Sequence, residues 1–198
     1  MGEAPRPTLV LVTGPPGSGK TTLAHALAAA IPCPAVSRDE IKEGMVHAHG
    51  RGFEPAPGDP LTQRTFPLFF DVLRVLLEGG VSVVAEAAFQ DRLWRAGLEP
   101  LAALAQLRIV HCDVDAAVAF ERVVGRSDAR LGVSRHGAPA PAVGRAAHAD
   151  ASLAQELDEW RGGFAAFDRV SIEAPSIVVD TTDGYAPGLP ELVAFVDA

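Results

Sequence analysis

Four short, almost unbroken apolar runs punctuate the chain: "TLVLVT" at 8–13, "GVSVVAE" at 80–86, "LRIVHCD" at 107–113 and "PSIVVDT" at 175–181. Runs of this length without polar alternation predict strands buried on both faces, as in a parallel sheet. A fifth, "CPAVS" at 33–37, is weaker and is placed by its context. Between them the apolar positions recur with helical spacing over about 20–30, 39–48, 60–78, 91–105, 115–126, 151–168 and 188–196. Strands alternating with helices predict an α/β fold with right-handed crossovers and a parallel sheet covered on both faces. Ligands then bind beyond the carboxyl ends of the strands. No internal repeat or low-complexity tract interrupts the order, so residues 1–198 read as a single domain.

Two segments depart from the alternation. "HAHGRGFEPAPGDP" at 47–60 is polar and rich in Gly and Pro, a loop placed to border a substrate. "GRSDARLGVSRHGAPAPAVGR" at 125–145 is longer and carries four arginines. A loop of that length in a compact domain reads as a functional lid or as a disordered segment; the lid is favoured, and with the preceding arginine-bearing turn it spans about 122–148.

The first strand runs directly into chemistry. Gly14-Pro15-Pro16-Gly17-Ser18-Gly19-Lys20-Thr21 matches the P-loop pattern in full, with a strand before it and a helix after it. Glycines let successive backbone N–H groups turn toward phosphate oxygens, and the helix N-terminus adds its dipole. Lys20 supplies a point charge for the β- and γ-phosphates, Thr21 a hydroxyl for Mg²⁺, and Thr22 extends the nucleotide-facing set. ATP and Mg²⁺ are the cofactors this motif predicts.

Three further groups gather around that expectation. In "SRDEIKEGM", Asp39 follows the weak second strand and reads either as part of a helix start, with Ser37 or Asp39 as the cap, or as a general base for a hydroxyl acceptor. Arg38 and Lys42 are placed to meet an anionic part of a substrate. Glu86 ends the third strand, where many P-loop proteins put an acid that orients water on Mg²⁺; the residue is usually Asp, so Glu86 serves the metal, the substrate or the structure. Arg122, Arg126 and Arg130 recur every four residues, the spacing of a solvated helix face or of a lid that closes over ATP. Lid closure would make Arg126 and Arg130 catalytic and set Arg122 and Arg126 against the nucleotide. Phe89, Arg92 and Trp94 follow the third strand's carboxyl end as candidates for the pocket wall, with Phe89 and Arg92 assigned to the substrate. Phe66, Phe69 and Phe70 read as core.

Composition narrows the classes. With 25 acidic against 17 basic residues the net charge is −8, which argues against a long nucleic-acid footprint, though not against a small one. Cys33 and Cys112 are the two cysteines, in no metal-like spacing, and the six histidines show none either. No signal pattern and no apolar run long enough for a membrane span is present, so a cytoplasmic protein is expected.

On the P-loop, "SRDEIKEGM", "VVAEAAF" and "HCDVDAAVAFERVVGR", in that order, the chain resembles the small P-loop kinases around chloramphenicol phosphotransferase and zeta toxin. It is similar too to the larger pool of bacterial kinases labelled as AAA-type ATPases. The resemblance implies a nucleoside-monophosphate-kinase-like sheet of order 2-3-1-4-5 and ATP-dependent phosphorylation of a hydroxyl. It puts the base on Asp39, the phosphate lysine on Lys20, and the lid arginines on Arg126 and either Arg122 or Arg130. Adenine would lie around Thr181 to Asp183.

Three function classes follow. The first is a kinase for the hydroxyl of a small molecule, an antibiotic or related secondary metabolite whose phosphorylation gives resistance. The second keeps the reaction but takes a nucleotide, a nucleotide-sugar or a nucleic-acid end, held by Arg38, Lys42, Arg51 and Arg64. The third is a protein-acting ATPase or nucleotide switch. The chain has no NKxD or LSGGQ-like signature, and it is short for an AAA+ motor with an added helical domain.

Overall fold

A computed structural model of the 198-residue chain describes residues 6–50, 53, 58–129 and 160–198, with side chains up to 125 in the second long stretch. Five parallel strands form one sheet in the order β2-β3-β1-β4-β5: β1 Thr8–Thr13, β2 Ala35–Ser37, β3 Val83–Glu86, β4 Gln106–Asp113 and β5 Ser176–Asp180. This is the expected order. The helices between them are α1 Lys20–Ala30, α2 Arg38–His49, α3 Pro60–Glu78, α4 Asp91–Ala102 and α5 Ala116–Ala129. Residues 160–165 are helical (α6), and α7 covers Leu189–Asp197.

Alternation within each strand builds two cores. Leu9 and Leu11 of β1 join Val83, Ala85, Leu107 and Ile109 on the face covered by α3 and α4. Val10 and Val12 join Val84, Val110 and Cys112 on the face covered by α1 and α7. All four β1 aliphatics have no exposed surface. At about 1.5–3 kcal/mol for each fully buried aliphatic, the strand preceding the P-loop is among the most firmly held segments. The P-loop therefore springs from a rigid base.

One expectation changes after β2. Helix α2 continues through His47 to His49, so the loop read over 47–60 starts later; residues 51–52 and 54–57 of it, Arg51 among them, lie outside the described residues. Helix α3 begins where Pro60 occupies its first turn, and Asp59 caps it by accepting the Thr62 N–H at 2.8 Å. Pro at the helix start with an Asp before it is a favourable pairing, because Pro lacks the N–H that would go unbonded there.

Candidate functional site

Backbone crowding fixes the P-loop. A Cβ on Gly14 would stand 2.6 Å from Ser18 Oγ and 2.7 Å from Cys112 O, and one on Gly17 would run into the Ala119 carbonyl. Gly17 is also left-handed, at φ +79°, so glycine is required there on both counts. Helix α1 then starts from Gly19 with no side-chain cap and no acid in its first turn. Its leading amides are left for an anion. The Ser18 hydroxyl is fully buried and has no hydrogen-bond partner among the described residues, an unmet donor beside those amides.

Lys20 and Glu86 meet at the centre. Lys20 Nζ is 3.9 Å from Glu86 Oε1, and the carboxylate is only 1% exposed. Ser37 donates to Glu86 Oε2 at 2.6 Å, while Oε1 has no hydrogen-bond partner among the described residues. Burial pushes the Glu86 carboxyl above its usual range; Lys20, Ser37 and Thr21 pull it back, and the neighbouring Asp39 charge pushes it further up. Beneath the loop, burial raises the Cys112 thiol to about 12, against the pull of Lys20, so it stays an inert thiol.

The second strand's end resolves the cap question. Ser37 has extended backbone, and its hydroxyl accepts the Glu40 N–H at 3.4 Å; it is the N-cap of α2. Asp39 therefore sits inside the first turn with its side chain released from capping, close enough to Glu86 to act on its charge. Arg38 Nη1 donates to Asp39 Oδ1 at 2.8 Å.

On the opposite side, Arg122 of α5 donates to the carbonyls of Thr181 at 2.7 Å and Thr182 at 3.0 Å, and to Gly17 at 3.4 Å. Thr181 Oγ1 donates to the Ser18 carbonyl at 2.7 Å, tying the β5 loop to the P-loop. Gly17, Gly19, Thr22, Arg122, Gly125, Thr181, Gly184 and Tyr185 line a cleft of about 470 Å³ beside the loop. Thr181 falls within the stretch expected to border adenine. Gly184 and Tyr185 were not anticipated; the turn-forming Asp183-Gly184 after the last strand was the available signal.

Other expectations are corrected. Phe89 is not a pocket residue: it has no exposed surface and packs between Phe69 and Trp94, with ring centroids 6.0 and 4.9 Å away. Its backbone N–H donates to Thr13 Oγ1 at 3.1 Å, so the turn after β3 folds inward rather than toward the cleft. Trp94 is buried with it. Lys42 does not face an acceptor either. It is 1% exposed and donates to Asp59 Oδ2 at 2.8 Å and Thr62 Oγ1 at 2.5 Å. Arg122 is not a free lid arm but a strut between two loops. Arg92 is exposed and donates to Gln90 at 3.2 Å. The Arg126 side chain, Arg130 and the lid beyond it lie outside the described residues.

These features fit a nucleotide phosphate: uncapped amides, a buried orphan hydroxyl, and a lysine with room left in its coordination. For a divalent cation the fit is an Oε1 without a donor, the Thr21 side chain acting on the same carboxyl, and a second acid pressing on it. Among the described residues no group of three or more His, Cys, Asp or Glu forms a metal cluster. A cation that keeps much of its water needs no such cluster. None of the described helices is long and apolar enough to cross a membrane.

Comparison with known proteins agrees with this geometry. Residues 9–150 match the family model described as an AAA domain. A Chloroflexus aurantiacus protein taken to be a kinase aligns with a TM-score of 0.76 at 23% identity, covering 97% of each chain. A Sinorhizobium meliloti gluconokinase aligns at 0.53 and 20% identity, over 97% of this chain and 92% of that one. The Mycobacterium tuberculosis APS kinase CysC, solved with AMPPNP and APS, aligns at 0.58 and 15% identity over 98% and 99%. These likenesses establish a shared P-loop fold. No curated protein matches the sequence.

Proposed function

The chain belongs to the AAA domain family AAA_33, and we propose that it is an ATP-dependent phosphotransferase that moves a phosphoryl group to the hydroxyl of a small molecule. The observation that carries this reading is the convergence of Lys20, Glu86 and Asp39 beside an uncapped helix N-terminus. A switch or motor needs the first two; a second carboxylate beside them is what an acceptor hydroxyl requires.

Gly14 to Thr22 would hold the triphosphate and the cleft beside Arg122, Thr181 and Tyr185 the nucleoside. Thr21 and Glu86 would hold Mg²⁺. When bound, Mg²⁺·ATP supplies the transferable phosphoryl group with part of its charge already neutralised. Lys20 Nζ offers its positive charge where negative charge develops. Asp39 accepts the proton of the attacking hydroxyl at its carboxylate and orients that oxygen. Arg38 holds Asp39 in place and presents a cationic edge to a polar acceptor. Arg126 and Arg130 are proposed to close over the phosphates, and the protein to work in the cytoplasm without membrane or long nucleic-acid partners.

Resemblance to the chloramphenicol phosphotransferase group favours an antibiotic or related secondary metabolite, phosphorylated as a route to resistance. A sugar or a nucleotide derivative is the second reading, favoured by the gluconokinase and APS kinase among proteins of the same fold. The test is a mass-spectrometric screen with Mg²⁺·ATP against pooled antibiotics, sugars, sugar acids and nucleotides. A mass gain of one phosphoryl group that vanishes in Asp39→Asn is the expected result. ATP consumption with no phosphorylated product from any pool would move the protein to the ATPase class.

A further inference from the structure

One hydroxyl belongs to both halves of the site. Ser37 Oγ donates to Glu86 Oε2 at 2.6 Å and accepts the Glu40 N–H at 3.4 Å. The β2–β3 register sets Ser37 directly beside Glu86, and both are buried, at 4% and 1% exposure. A hydroxyl has a single proton. With that proton given to Glu86 and a lone pair given to the helix, the Ser37 rotamer has no freedom left. The consequence reaches two acids. Glu86 Oε2 is tied to β2, so Oε1 is the oxygen left facing Lys20. Asp39, two residues further on, has its backbone direction set by the same cap.

We propose that Ser37 is a positioning residue of the phosphoryl-transfer site, aiming Glu86 Oε1 at the P-loop while it fixes the start of the helix that carries Asp39. The proposal takes its reaction from the kinase reading but rests on contacts independent of any acceptor. A serine that merely capped α2 would need only the Glu40 bond.

Capping and aiming separate by substitution. Glycine caps a helix nearly as well as serine, so Ser37→Gly removes the Glu86 bond while largely sparing α2. Ser37→Thr keeps the hydroxyl that makes both bonds. The experiment measures calorimetric binding of a non-hydrolysable ATP analogue with Mg²⁺ and with chelator, together with ATP hydrolysis to water, in the full chain. Ser37→Gly is expected to lose about 10- to 100-fold of the Mg²⁺-dependent gain in affinity and of the hydrolysis rate, the usual cost of removing a partner that orients a metal-side ligand. Affinity in chelator should hold, and Ser37→Thr should recover most of the loss.

The decisive comparison adds Glu86→Gln. If Ser37 acts through Glu86, Ser37→Gly in that background causes no further loss. Additive losses, a loss equal with and without Mg²⁺, or wild-type values in Ser37→Gly each overturn the proposal. None of these readouts uses an acceptor. Failure to find a phosphorylated product sinks the kinase reading and leaves this test standing, and additive losses sink Ser37 while leaving that reading intact.

Discussion

Lys42 Nζ lies 2.8 Å from Asp59 Oδ2 with both side chains sealed from solvent, at 1% and 3% exposure. The pair joins α2 to the first turn of α3, and Thr62 shares both partners. It holds α2 against the start of α3.

Breaking one partner of a buried pair leaves the other charged and unmatched, which costs about 3–5 kcal/mol. Lys42→Met should therefore lower the unfolding free energy by about that amount, read from urea denaturation. Asp59→Asn should cost less, since the amide oxygen still caps α3. Equal stability of Lys42→Met and wild type would show that the pair is open to water in solution.

The same pair sets an acid window. Burial alone would raise the Asp59 carboxyl, but Lys42 and the Thr62 donors outweigh it and hold it at about 2. A carboxyl depressed in the folded state stabilises the fold fully above its unfolded value near 4 and loses that contribution as pH falls toward 2. Unfolding free energy should decline across that interval in the wild type, and more gently in Asp59→Asn. Parallel declines would place the acid sensitivity elsewhere.

Lys20→Ala should abolish ATP turnover while leaving the melting temperature close to wild type. The ammonium is 3.9 Å from Glu86, long for a pair that contributes strongly to folding. Turnover within tenfold of wild type would remove Lys20 from phosphate charge stabilisation, whose loss costs about 10²–10³ in comparable sites.

Arg122→Ala removes a guanidinium shared by the carbonyls of Thr181, Thr182 and Gly17. Nucleotide affinity should fall by about tenfold, since hydrogen bonds to a charged group contribute about 1.5–3 kcal/mol each when fully formed and these are partly exposed. Calorimetry with the ATP analogue reads the change. An unchanged affinity would mean the cleft keeps its shape without the strut.

The sheet was legible in advance because strands buried on both faces cannot hide their apolar runs: β1 and the α3 span match the expected ranges to the residue. The P-loop was legible for a similar reason, since left-handed backbone and crowding leave glycine no substitute at Gly17. What could not be read depended on partners distant in sequence. Lys42 reads as a substrate-facing cation because its acid lies 17 residues away across a stretch rich in Gly and Pro. Asp59 carried a legible sign, its position before Pro60, but capping says nothing of a second bond to another helix. Phe89 was misplaced because chain position after a strand does not tell whether the next turn folds toward the cleft or the core. Thr13 Oγ1, holding the Phe89 backbone, decides that.

The strut and the Thr181 bond lie wholly on one flank of the P-loop, and the Lys42–Asp59 pair wholly on the other. On the proposed reading, substitutions in α3 could therefore reshape what is recognised while Arg122 and Thr181 keep their hold on the P-loop. A scaffold so divided is suited to lineage after lineage changing its clientele while retaining one source of energy.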